Sequence, residues 1–355
     1  METRKIQQVG GGTYTVSLPK EWATAADIEP GSVVTLHTHI DGTLVVKTGD
    51  EEPASTLPLR LSVGGADPDA VDRALRAVYA AGIETVELRA ASPDGVDDAL
   101  RRRIERVTRG LTGLAVTETT GDTVRVRSLL DAEEVSIPQS VRQLQFAALS
   151  AHRTATAAVT NSTTIERPDD RDDQAARIFA MVDRYFGRGL DSLSVMDALG
   201  LTRPQLFVHW ETARELRRVA GEARRIAAVA NRLESPVEGP VATPFEALAA
   251  DSRTLVEDAV SAVLDDGNVA TVRVLLAERD RLLDTAESLD RRLFETDGAD
   301  YRLTNAVDSL ARTVDSAGAI ATLSLRSQFR EDRGTDIRLA GTDDGRSAAD
   351  ADAGG

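Results

Sequence analysis

Apolar and polar positions fall into three blocks of different period. In residues 1–48 the apolar side chains alternate in short runs, and strands are expected at 4–9, 14–18, 33–40 and 44–47. Asp41-Gly42 joins the last two as a hairpin turn, residues 20–26 suit one helical turn, and Glu29-Pro30-Gly31-Ser32 reads as a tight turn. So small a sheet has few inward side chains and is marginal alone, so dimerisation by interleaved strands is expected. Residues 51–56 read as a linker.

The second block mixes both periods. Leu57, Leu59, Leu61 and Val63 alternate with polar neighbours, as in a half-buried strand. Asp67-Pro68 then starts a helix that ends at Gly82. A strand at 83–88, a helix at 95–110 with an arginine-rich outer face, and a hairpin of 114–118 with 124–127 complete a β-α-β-α-β-β order. That order predicts a small α/β sandwich.

From Ser136 the period becomes helical. Capping boxes are expected at Ser136–Gln139, Thr202–Gln205 and Thr243–Glu246. Six long helices are predicted at about 138–162, 168–188, 204–234, 243–266, 268–294 and 300–328. Breaks are expected at 167–168, 187–200, 235–240, 265–267 and 297–298. The break at 235–240 splits the helices three and three, which predicts two antiparallel three-helix bundles. Residues from about 331 to 355 are acidic, aperiodic and rich in Gly and Ala, and are expected to be a disordered tail.

Composition narrows the function. Acids outnumber Lys and Arg 58 to 42, a formal net charge of −16. Such self-repulsion is relieved by salt, which screens within about 3 Å at 1 M. The lysine-poor, acidic composition resembles that of cytoplasmic proteins of salt-loving archaea. With no cysteine, disulfides, thiolate nucleophiles and cysteine-ligated metals are excluded. No apolar run approaches the roughly 18 residues of a membrane span, and the charged 1–5 start is not a signal peptide. A cytoplasmic protein without membrane insertion is expected. Catalysis has little to stand on: Gly10-Gly11-Gly12 lacks the Lys-Ser/Thr of a phosphate loop, and no serine sits in a nucleophile elbow. No enzyme is expected. His37 and His39 share a strand face with no third ligand nearby and read as solvent-facing. His209-Trp210 reads as packing at a bundle end.

Two families are resembled. Residues 3–47, TRKIQQVGGGTYTVSLPKEWATAADIEPGSVVTLHTHIDGTLVVK, resemble an AbrB/SpoVT/MazE-type swapped-hairpin DNA-binding domain, above all in the strand–Pro–Lys–Glu–helix step and the later Pro-Gly turn. The six-helix region resembles the PhoU phosphate-uptake regulators, and the domain order resembles PhoU-like archaeal regulators with an AbrB-type head. These resemblances imply a multidomain α+β chain. A swapped-hairpin β-barrel head (1–50) would precede an α/β sandwich connector (56–130), a PhoU-like body of two three-helix bundles (136–330) and the tail. They further imply a homodimer joined through the head, DNA as partner, and control of phosphate uptake. The implied protein partner is a phosphate transporter ATPase or signalling protein.

The site residues follow from the same resemblances. Where AbrB-type domains often place arginines against phosphates, this chain has Gly12/Thr13 and Ala23/Thr24, leaving Arg4, Lys5 and Lys20 as the expected DNA contacts. All three lysines, Lys5, Lys20 and Lys47, lie in this module. PhoU proteins bind clustered metals through carboxylates spaced by four. Asp280 and Asp284 keep that spacing and Asp315 survives on the sixth helix, so the three are candidates for a divalent or iron-type metal. Glu211/Glu215 repeat the spacing more weakly, and in so acidic a chain such pairs also arise as plain solvated faces. Three alternatives stay open: a dimeric interaction protein that does not bind DNA, an antitoxin-like repressor carrying a small toxin, and a metal-dependent enzyme.

Overall fold

The computed structural model describes residues 3–48, 57–63, 67–90, 95–161, 169–265, 267–296 and 300–331. The expected linker at 51–56, nearly all of the expected tail and the turns at 167–168 and 297–298 lie mostly or wholly outside them. The chain is a multidomain α+β protein of small β-ribbons, one mixed sheet and long helices.

The N-terminal part holds β1 (Gln7–Val9), β2 (Thr13–Thr15), α1 (Lys20–Ala25), β3 (Val34–Thr38) and β4 (Leu44–Thr48). They form two separate antiparallel ribbons, β1-β2 and β3-β4.

Next come β5 (Leu59–Ser62), α2 (Pro68–Ala80), β6 (Thr85–Arg89), α3 (Asp98–Arg109), β7 (Leu114–Thr119) and β8 (Thr123–Ser128). The order is the one the pattern predicts. Asp67 caps α2 by accepting from the Asp69 N–H, with proline at the first helical position. The strands lie in the order β5-β6-β8-β7, with β5 and β6 parallel and the other pairs antiparallel. Val86, Leu88, Val124 and Val126 face inward onto Val71, Leu75 and Tyr79 of α2 and Ile104 and Val107 of α3. Both helices thus cover one face. On the other face, Arg60, Glu87, Arg125 and Glu118 stand in one row across all four strands. Glu87 is buried beneath arginines. Its bond to Arg125 (2.7 Å), then those to Arg89 and Arg60, hold its carboxyl below the usual range. Gly95 closes the corner with φ +81°. A Cβ there would overlap the Gly121 carbonyl oxygen that accepts from the Val96 N–H.

The remaining helices are α4 (Ile137–Thr160), α5 (Asp169–Asp191), α6 (Leu193–Leu199), α7 (Arg203–Ala230), α8 (Ala242–Leu264), α9 (Val269–Glu295) and α10 (Arg302–Glu331). All six long helices fall where periodicity places them. The seventh, α6, lies inside the stretch expected to be a break: α5 runs through Gly187 and Gly189, and Ser192 then caps α6. Ser136 caps α4, and Thr202 with Gln205 forms the full reciprocal capping box of α7. The box expected at Thr243 does not form. A 3₁₀ turn at Gly239–Val241 feeds directly into α8, so the helix begins before Thr243 and no side chain caps it.

Helix α7 packs on α4, α5 and α10, while α10 packs on α7, α8 and α9. One continuous core runs through both groups, from Leu144 and Val159 to Leu216, Ile226, Leu310 and Ile320. No described helix is long and apolar enough to cross a membrane.

Candidate nucleic-acid interface

In the N-terminal ribbons the inside is on the outside. Within 3–48 only His39 is buried, while Tyr14 is 71%, Leu36 60% and Val33 87% exposed. Ile6, Val9, Val16, Ile40 and Leu44 are exposed as well. Of these, Tyr14 with Val16 and Leu36 with Ile40 keep the two-residue period that marks one strand face for a core. Neither ribbon pairs with the other, so a single copy leaves this apolar set in water.

The expected phosphate contacts sit on this frame. In the β1-β2 ribbon Gln7 lies opposite Thr15 and Val9 opposite Thr13, so the Gly10–Gly12 turn is one end and the incoming and outgoing chain the other. Lys5, before β1, and Lys20, which opens α1, both belong to that open end. Arg4, Lys5 and Lys20 are all exposed. Glu21 follows Lys20 in the first turn of α1, so the local charge is mixed.

His39 departs from expectation. Rather than facing solvent it is 5% exposed, and its Nδ1 lies 2.6 Å from Asp197 Oδ1 on α6. The partner stands 158 residues away, beyond the reach of any strand-face argument. The β3-β4 turn supports this contact, since Thr43 donates its N–H to Asp41 and the Gly42 N–H donates to the His39 carbonyl. The hairpin tip is therefore fastened to the helical body. Asp197→Ala should release it, and amide hydrogen exchange at Gly42 and Thr43 should rise at least tenfold while exchange in α7 is unchanged.

Two of the three carboxylates named as metal candidates, Asp280 and Asp315, pair with one arginine. Arg279 bridges Asp280 (2.9 Å) and Asp315 (2.7 Å), and Asp284 lies exposed one turn further along α9. Among the described residues no group of three or more His, Asp or Glu side chains is placed to hold a metal ion. The α7 carboxylates are likewise matched to guanidinium groups at spacing three: Glu211 to Arg214, Glu215 to Arg218 and Glu222 to Arg225. Trp210 stacks on Phe186 at 4.3 Å and donates to Asp183, as packing requires.

The apolar ribbons, the strand–Pro–helix step and the open-end lysines all fall in one short segment, and one known family resembles it. Residues 7–54 match the family described as antidote-toxin recognition MazE, bacterial antitoxin. The N-terminal segment is thus similar to a DNA-binding type of domain that dimerises. The match extends a few residues beyond the resemblance at 3–47 and ends before the mixed sheet. No curated protein matches the chain.

Proposed function

We propose that this chain is a dimeric, DNA-binding transcriptional regulator, with residues 1–50 shared between two copies as a swapped-hairpin barrel. One observation carries the reading: the segment similar to MazE leaves its patterned apolar residues uncovered in a single copy. Interleaving β1-β2 and β3-β4 with a second copy would bury them and double the cations Arg4, Lys5 and Lys20. Light scattering on the full chain should give a dimer mass, and Leu36→Asp a monomer. In a gel shift with promoter DNA, Lys5→Ala/Lys20→Ala should weaken binding at least tenfold. Equal shifts from wild type and variant would remove Lys5 and Lys20 from the interface.

The finer division runs through a connector at 56–130 to a helical body at 136–330, read as two three-helix bundles. The three-and-three split of the six long helices by the turn at 235–240 supports a PhoU-like body. On this reading the body sets phosphate uptake, either by biasing the head on its operator or by contacting a phosphate transporter's ATPase or signalling partner. It acts in the cytoplasm and catalyses nothing. Affinity capture from phosphate-rich and phosphate-starved cells tests this, with partner or operator occupancy expected to change between the two. The antitoxin description of the matched family favours a second reading, in which the head carries a small toxin. A small protein co-purifying in stoichiometric amount would decide for it.

A further inference from the structure

Many arginines in this acidic chain pair with carboxylates, several of them around the mixed sheet. Arg60, Arg89 and Arg125 converge on Glu87, Arg76 pairs with Asp72, Arg73 with Asp67, and Arg103 with Asp69 and Asp72. Helix α3, like Arg127 on β8, differs. Arg102, Arg106 and Arg109 are exposed and make no ion pair among the described residues. Arg109 only donates its Nε to the Glu105 carbonyl within the helix.

Their placement is regular. The core face of α3 is Ile104, Val107 and Thr108. At 3.6 residues per turn, positions 102, 106 and 109 lie on the opposite face, in a stripe about 10 Å long. Exposed Glu105 flanks it, and Asp97 and Asp98 sit at the helix start. Three cations thus face solvent along one edge of a region whose 11 arginines balance its 11 acids, in a chain of net charge −16.

We infer that the outer face of α3 is a second DNA contact, binding the phosphate backbone of the duplex that the head engages. The ligand is identified by charge complementarity and spacing. Each strand of duplex DNA carries one negative charge per about 3.4 Å of axis, so a 10 Å stripe lies against about three phosphates of one strand, a match for three guanidinium groups. Among the described residues the stripe includes no large exposed apolar side chain, which a protein groove would need. It makes good the few cations of the head by contributing affinity without sequence preference. The inference rests on the DNA-binding reading of the head, and it fails separately from it.

The test is fluorescence anisotropy of the full chain on a short labelled duplex of mixed sequence, with salt varied between about 0.1 and 1 M. Plotted as log affinity against log salt, R102Q/R106Q/R109Q should show a slope shallower by about 2 to 3 per protomer than wild type. Affinity at about 0.2 M salt should fall more than tenfold. R102K/R106K/R109K, which keeps the charges, should restore both. An unchanged slope in the glutamine variant overturns the inference and leaves the head reading intact. A Lys5→Ala/Lys20→Ala chain that binds like wild type, beside a glutamine variant that does not, overturns the head's role and keeps the stripe. Wild type that fails to bind at any salt overturns both.

Discussion

Arg184→Ala should destabilise the protein by about 3–5 kcal/mol and loosen the mixed sheet from the helices. Arg184 on α5 is 1% exposed and has no carboxylate partner among the described residues. Its Nη1 donates to the carbonyls of Tyr79 (2.8 Å) and Ile83 (3.1 Å), just where α2 ends, and its guanidinium stacks on the Tyr79 ring at 5.0 Å. A cation there suits the negative end of the helix, and burial pushes the guanidinium's proton affinity down. Tyr185 and Arg188 strengthen the joint by reaching Leu130 and Glu84. Truncation would take a donor from the Tyr79 carbonyl, which keeps the Gly82 N–H, and from the part-buried Ile83 carbonyl, and would open a void, whereas Arg184→Met keeps the packed stem and should cost about 1–2 kcal/mol. Chemical denaturation measures the difference. An alanine variant within about 0.5 kcal/mol of wild type would show that the joint carries no stability.

Lowering the pH from 7 to 4 should remove several kcal/mol of stability, and His152 should account for a large share. His152 on α4 is fully buried against α8, where Arg253 Nη1 approaches its Nδ1 at 3.4 Å and also donates to Thr156. Burial first, and the Arg253 charge second, push the imidazole from its ordinary 6.5 to about 3. The folded state therefore keeps His152 neutral. The unfolded chain takes up a proton below about 6.5, and the folded state follows only near 3. Stability is fully present above 6.5 and lost across that window, by roughly 4–5 kcal/mol over its whole span. His209, pushed by burial to about 4, acts in the same direction. Unfolding free energies in molar KCl, measured between pH 7 and 4, should show His152→Leu with a slope lower by about one proton. Parallel slopes would mean that His152 is already charged in the folded protein.

The long helices were legible because a buried stripe forces a 3.6-residue period whatever the neighbours are. The missing helix and the missing contact had other causes. Gly187 and Gly189 look like punctuation, yet both lie within α5: a Cβ at Gly189 would meet Leu206 and Met196, and one at Gly187 would press on the Ala80 carbonyl. They are there for close approach, which one-dimensional patterns do not separate from helix breaking. The true stop is Ser192, whose side chain accepts from the Val195 N–H. At the metal candidates the decisive residue was adjacent in sequence, since Arg279 directly precedes Asp280, but its reach to Asp315 across 36 residues is a tertiary fact. His39 was harder still, because nothing in the β3-β4 turn announces Asp197.

The seven-residue helix α6 occupies a corner where three parts of the chain meet. Its apolar side is seated among α5 and the 3₁₀ turn Ala132–Glu134 that leaves the mixed sheet, and its Asp197 fastens the hairpin tip. If two copies join through their heads, each head is hung from its own body at that corner. The angle between the bodies then dictates how far apart the two sets of phosphate-facing residues stand. Half-site separation on DNA would become a gauge of body shape, so a change of packing between α5 and α7 would be read out as a change in the length of operator spanned.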